Sequence, residues 1–295
     1  MNSTESNFKI KTSHLLVFWS FLAIEVVIIV VGNAVVFWCF YTSKHLRTKQ
    51  NYFVISLILS DILVGIIVPP CEYCAFIKGR YCYIFCGSLL SFTTLASVIS
   101  LVLIAGDRFF SITSPFKYRA FLSKRRARNI IASGWVLTAF LTAIPLTWQL
   151  NIRVSKTFSA KINLIFTISM FSMVVMVGTL ISFVYAKIIF LVKQKLSGQK
   201  SRNPVALRVN VMVAISFFVC WIPTLVVEIM LQSGIRVHQY IPLASYSILL
   251  FNPCLDPIFY AYYRKDIRKE ISRSLSNMTR SSLFEATTKS GFHSE

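Results

Sequence analysis

Seven stretches of predominantly apolar residues, near 15–41, 52–76, 83–111, 129–148, 163–192, 207–232 and 239–262, dominate the chain. A helix needs about 20 residues, each rising ~1.5 Å, to cross the hydrocarbon core of a bilayer. Lipid offers no partner to an exposed N–H or C=O, so such stretches must close their backbone bonds internally, as helices do. The expected fold is an all-α membrane protein, a seven-transmembrane-helix bundle. Composition agrees: 55% of the 295 residues are hydrophobic and 14% are charged, too apolar a balance for an ordinary soluble domain. No period of 20 to 50 residues repeats, so the chain reads as one membrane domain. The first stretch is too long for a cleaved signal and has no small-residue cleavage site after it; it is expected to stay as a spanning helix.

A net charge of +20 raises the question of an acidic partner such as nucleic acid, and the placement of the 31 Lys and Arg decides it. Twenty-three of them follow stretches 1, 3, 5 and 7, and eight lie on the other side. Lys and Arg accumulate on cytoplasmic loops, so the N-terminus is expected outside the cell and the C-terminus inside, with the basic loops facing anionic lipid. No nucleic-acid partner is needed. Residues 1–14 are then an extracellular N-terminus, carrying a glycosylation sequon at Asn2, and 15–262 the transmembrane domain. In residues 263–276, Ile267, Ile271 and Leu275 recur every four positions among charges, the pattern of a short amphipathic eighth helix on the inner leaflet. Residues 277–295, rich in Ser and Thr, are expected to form a disordered cytoplasmic tail.

Ionisable residues inside such stretches are costly and need partners. Asp61 lies in the middle of the second, with Asn33, Ser97, Asn252 and Asp256 as candidate partners; the last two, four apart, share a helix face. Two carboxylates with hydroxyl and amide oxygens make either a Na⁺ site centred on Asp61 or a hydrated network that packs helices. Pro223 removes a backbone bond from the sixth stretch and kinks it. Phe217 and Trp221 share a face beside it, as core aromatics or as a moving part. At the end of the third stretch, "LIAGDRFFSI" sets Asp107 against Arg108, either a snorkelling arginine with a local partner or a functional pair.

Together these residues resemble a known family. "GDRFF" is similar to the Asp-Arg-Tyr motif of rhodopsin-like (class A) G-protein-coupled receptors, with Phe109 in place of Tyr. "VGNAVV" (Asn33), "SLILSDILVG" (Asp61), "ASGWVL" (Trp135), "FFVCWIP" (Trp221, Pro223) and "NPCLDPIFY" (Asp256, Pro257, Tyr260) match the signatures of the corresponding helices, in order, over residues 15 to 275. The resemblance implies a receptor that converts extracellular ligand binding into activation of a heterotrimeric G protein at the plasma membrane. It also implies roles for single residues. Asp107 holds Arg108 at rest and releases it toward the G protein; Tyr185 and Tyr260 stabilise the active state; Phe217, Trp221, Pro223 and Pro257 form the activation switch. The cluster around Asp61 holds Na⁺ as an allosteric ion, and arrestin and a receptor kinase read the tail.

Departures from the pattern bear on the ligand. Leu90, with Ser91 and Thr94 nearby, stands where monoamine receptors carry an Asp, and the seventh stretch has no Lys to hold retinal, so an opsin is excluded. Val177 replaces the usual proline of the fifth stretch. The family's disulfide to the second outer loop cannot form, because residues 147–165 contain no Cys. Cys71, Cys74, Cys82 and Cys86 cluster instead about the first outer loop; a local bridge such as Cys74 to Cys82 and free buried thiols both fit this spacing. Asp256 in the seventh stretch and "NYFVISL" are similar to the branch containing melanocortin, lysophospholipid, cannabinoid and adenosine receptors. Glu72 and Glu228 are either pocket lips favouring a cationic or amide-bearing ligand or solvated surface charges. The ligand class stays open among peptide, nucleoside, lipid and non-standard amine.

A transporter or channel is the rival function, but it would need related repeats with broken helices at the midplane, which the sequence lacks. An enzyme is not expected either, since the four His, at 14, 45, 238 and 293, are too scattered for a metal site.

Overall fold

Each apolar stretch folds as a helix, and polar punctuation sets where it ends. In chain order the helices, with the short α4 and α6 between the long ones, are α1 (Thr12–Thr42), α2 (Asn51–Ile77), α3 (Arg80–Thr113), α4 (Pro115–Phe121), α5 (Lys124–Ala143), α6 (Leu146–Gln149), α7 (Lys156–Lys195), α8 (Pro204–Gln232) and α9 (Tyr240–Tyr263). A short α10 (265–273) follows. The computed structural model describes residues 12–77, 80–151, 153–195, 204–238, 240–273 and 276, with side chains from residue 16 onward except at 72–77, 80, 83, 156, 192–195 and 204–210. Asn2 and Leu275, the side chains of Glu72 and Cys74, and the tail 277–295 lie outside the described residues.

Two helices differ from the apolar stretches that announced them. The fourth stretch, expected at 129–148, is helical as α5 from Lys124 and stops at Ala143. Ser123 caps its first turn by accepting a bond from the Arg126 N–H at 3.2 Å, so the basic run Lys124–Arg128 is helical although it is too polar to read as membrane-spanning. At the other end Pro145 has no N–H to continue the ladder, and the chain turns into α6. Likewise α7 begins at Lys156, seven residues ahead of the apolar stretch at 163. Hydropathy finds the part of a helix within lipid, not the turns that project beyond it.

The helices close into a ring, in which α1 packs on α2 and α9, α2 on α3, α3 on α5 and α7, α7 on α8, and α8 on α9. Polarity is reversed relative to a soluble protein. Val136, Leu137 and Phe140 of α5 and Phe183 of α7 are exposed, while Asn33, Asp61, Asn252 and Asp256 are buried. Such a surface suits lipid, and it leaves the interior to polar contacts. Among the described residues, six helices are long and apolar enough to cross a membrane, by length and composition. The seventh, α9, is not among these six; it carries Asn252, Pro253, Asp256 and Pro257 and buries them against its neighbours. Ile267 of α10 is buried in the main core and Ile271 packs against it, which sets the amphipathic helix on the bundle's end.

Close approach of backbones fixes two of these contacts. A methyl group at Gly32 of α1 would lie 2.9 Å from Cγ of Pro257 in α9, and one at Gly178 of α7 would lie 2.7 Å from the ring of Phe218 in α8. The Pro257 ring cannot turn aside. Gly32→Val is expected to lower stability by about 1 to 3 kcal/mol through overpacking, read as a lower unfolding temperature of the purified protein; an unchanged temperature would contradict the α1–α9 packing.

Candidate functional site

The polar residues picked out in sequence converge on one axis through the bundle. At its middle, Asn33 donates through Nδ2 to the carbonyls of Ile29 (3.0 Å) and Pro253 (2.9 Å). The second bond has a specific cause. Pro257 lacks the N–H that would serve the carbonyl four residues back, and Asn33 of α1 supplies the missing donor to Pro253. The expected cluster therefore forms around a helix defect.

Asp61 and Asp256 are 1% and 0% exposed and their carboxyls face one another. No N–H or O–H among the described residues donates to any of their four oxygens, and Asn33 Oδ1 is also without a donor. Two buried carboxylates this close cannot both carry an uncompensated charge; a proton or a cation must lie between them. Around the pair, Ser97 meets Ser60 at 2.9 Å and Ser216 reaches Asn252 Oδ1 at 3.5 Å. The oxygen-rich donor set fits a hard cation.

Toward the end of the bundle that carries the cysteines, a cavity of about 430 Å³ opens above this cluster and reaches Asp61, Ser97 and Asn252 at its base. Leu90, Ser91, Thr94, Trp221 and Glu228, all expected in the pocket, line it. Trp221 rests on Phe217, ring centroids 5.6 Å apart, and Phe217 meets Phe218 edge-on at 5.3 Å. Pro223 sits one half-turn beyond, inside α8. The wall facing α7 was not foreseen: Trp148 and Gln149 donate to Asn163 Oδ1 at 2.8 and 3.0 Å. These bonds join α6 to α7. Cys71 and Cys86 are bridged, joining α2 to α3, and Cys82 is disulfide-bonded as well. Spacing alone could not select the 71–86 pair, because only the packing of α2 on α3 brings it together.

At the opposite end Asp107 is buried, and its carboxylate has two partners of unequal closeness. Tyr118 Oη of α4 donates to Oδ1 at 2.5 Å, whereas Arg108 Nε stands 4.0 Å from Oδ2. Arg108 also donates to Gln50 Oε1 at 3.3 Å. Burial, and then the bond to Asp107, push the Tyr118 phenol well above its ordinary range, so it stays a donor. Lys49 bonds the Leu122 carbonyl at 2.8 Å and lies 5.2 Å from the Tyr118 ring centroid, fixing α4 in place. Sequence reading missed Tyr118 and Gln50; "SPFKY" after the Asp-Arg pair offered only an aromatic at unknown height. Tyr185 and Tyr260 are both buried toward this end, and Tyr260 Oη has no partner among the described residues. An unsatisfied buried hydroxyl is ready for a different arrangement of the helices.

Trp135, another signature residue, ties three helices at one hydroxyl: its indole N–H donates to Ser56 Oγ at 2.9 Å, and Ser56 meets Ser100 at 2.8 Å. Trp135→Phe is expected to cost about 1 kcal/mol, the net worth of one hydrogen bond. Ser56 keeps Ser100, so no orphan group is created. Chemical or thermal unfolding would check it, and a loss above about 3 kcal/mol would mean that the indole body, not its N–H, is the fixed element.

Comparison with known proteins gives these features a common source. A sequence profile described as 7 transmembrane receptor (rhodopsin family) matches residues 32–260. Melatonin receptor type 1A of Mus musculus is 26% identical over 289 residues, covering 89% of this chain and 81% of that protein. Adenosine receptor A3 of Ovis aries is 25% identical over 281 residues, covering 85% of this chain and 87% of that protein. D(1A) dopamine receptor of Xenopus laevis is 33% identical over 164 residues, 54% of this chain, and the match spans only 35% of the receptor's length. With the helix ring, the buried polar axis and the Asp-Arg end all in place, the chain belongs to the rhodopsin family of seven-transmembrane receptors and is a G-protein-coupled receptor.

Proposed function

We propose that the receptor lies in the plasma membrane with its N-terminus outside and its tail in the cytoplasm, that it takes an extracellular ligand in the cavity above Trp221, and that it opens the Asp107–Arg108 end to a heterotrimeric G protein. The Lys and Arg count supports this orientation, and the cavity's reach from Glu228 to Asp61 supports the path. A ligand pressing on Trp221 acts on Phe217 and, through the kink at Pro223, on the inner half of α8. Movement there repacks Tyr185, Tyr260 and Arg108. Arg108 is held by contacts of 3.3 and 4.0 Å, weak enough to exchange for a G-protein partner.

Na⁺ in the resting state is the second part of the proposal. Asp61 and Asp256 would hold it, with Ser97, Asn252 and the unpartnered Asn33 Oδ1 nearby. The ion would neutralise two facing carboxylates and hold α2 and α9 together. On the inner side α10 lies on lipid, and the Ser- and Thr-rich tail serves a receptor kinase and arrestin.

The observation that carries the reading is the cavity whose base reaches the buried Asp61–Asn252 cluster on the same helices that carry the Asp107–Arg108 pair at their other end, all built from the residues that the motifs specify. It is tested by guanine-nucleotide exchange on purified heterotrimers of each class, with the full chain in lipid nanodiscs. Acceleration for at least one class is expected, with no ion current when the chain is placed in planar bilayers. A current without exchange would move the chain to the transporter or channel reading.

A further inference from the structure

The cavity has a polarity that its apolar lining conceals. Among the described residues no Lys, Arg or His lines it, yet two carboxylates do: Asp61 at the base, faced by Asp256, and Glu228 near the mouth. Glu228 belongs to α8, seven residues beyond Trp221, which places it about 10 Å further along the helix. Its carboxylate is held in position. Gln232 Nε2 donates to Glu228 Oε1 at 2.6 Å, and the Gln232 amide is braced by the Thr167 hydroxyl of α7, with Nε2 2.9 Å from Oγ1. The other oxygen, Oε2, has no hydrogen-bond donor and no cationic partner among the described residues.

Glu228 is half-buried, and its open oxygen is an unused acceptor at the cavity. Water can solvate it while the cavity is open, but a ligand that fills the cavity displaces that water and must supply a donor or a positive charge. A ligand bearing a carboxylate or phosphate would set two like charges together with nothing to neutralise them. Between Glu228 and Trp221 α8 lines the cavity with Leu225 and with Thr224, whose hydroxyl is taken up by the Ser245 carbonyl, and α7 adds Phe166 and Met170. We infer that the receptor's ligand is an organic monocation, its ammonium bound to Glu228 Oε2 and its apolar body lying along α8 down to the Trp221 indole. The inference rests on the reading of this cavity as the ligand site. It assigns to α8 the anchoring charge that Leu90 cannot provide from α3. The volume of about 430 Å³ suits a small molecule.

The test uses a panel of primary, tertiary and quaternary arylalkyl amines, each paired with the neutral isostere in which a hydroxyl or tert-butyl group replaces the ammonium. Binding is read as the rise in unfolding temperature of the purified full chain in nanodiscs. At least one amine is expected to stabilise the protein where its isostere does not, and Glu228→Gln to weaken that amine at least tenfold. Asp61→Asn should keep the preference. If Glu228→Gln does not fold, Glu228→Asp takes its place, with affinity reduced but amine selectivity kept. The inference is overturned if no amine outperforms its isostere, if Glu228→Gln binds as the parent does, or if Asp61→Asn rather than Glu228→Gln removes the preference. Nucleotide exchange is read separately, so a chain that accelerates exchange without selecting amines fails here alone, and one that binds amines without accelerating exchange fails as the proposed receptor.

Discussion

Asp107→Asn is expected to raise ligand-independent nucleotide exchange severalfold, and Tyr118→Phe to raise it by a smaller factor. In the resting arrangement the Asp107 carboxylate takes the Tyr118 hydroxyl at 2.5 Å and the Arg108 guanidinium at 4.0 Å. Removing the charge releases Arg108 and loosens α4 from α3 together; removing only the phenol hydroxyl loosens α4 and leaves the charge. Coupling between such elements is typically about 1 to 3 kcal/mol, enough to shift a two-state population by a factor of five or more. Exchange on purified G protein at matched receptor density measures it. Equal basal rates for Asp107→Asn and the parent would mean that the Asp-Arg contact does not restrain the resting receptor.

Sodium should stabilise the ligand-free receptor more than potassium at the same ionic strength, and Asp61→Asn should abolish the difference. Four carboxylate oxygens without a donor at less than 2% exposure create the demand for a positive charge, and Asp61→Asn halves it. A ligand at ten times its dissociation constant adds about 1.4 kcal/mol by mass action, a shift of a few degrees in unfolding temperature. Asp61→Asn should also unfold at a higher temperature than the parent in sodium-free buffer, since one of the two facing carboxyls, with the proton or cation it demands, is gone. A sodium response that survives the substitution would place the ion elsewhere.

The sequence was most informative where a single physical demand acts. Twenty apolar residues in a row have one stable form in lipid, so the helices and their order were legible even for α9, which carries Asn252, Asp256 and prolines. Buried polar residues were legible for the same reason, because Asn33, Asp61 and Asp256 are affordable inside a bundle only if they meet. What could not be read depends on how helices lie against each other. The 71–86 bridge needs the crossing of α2 and α3, and the Tyr118 bond needs α4 folded back on α3. The Asn163 junction needs α6 set against α7. Helix ends at Lys124 and Lys156 were missed because basic residues are good helix formers outside lipid, where hydropathy carries no signal. Glu228 was legible as a charge near the mouth, but its uncompensated state is visible only once the lining of the cavity is known.

Engagement of the G protein by Arg108 is tested by Arg108→Ala. Nucleotide exchange on the responsive G protein is compared between variant and parent at equal receptor density. Binding of a cavity probe is followed in parallel by thermal shift. At least a tenfold loss of exchange is expected, with probe affinity within a factor of two of the parent, because the cavity lies several helical turns from Arg108. Full exchange by Arg108→Ala would contradict that engagement.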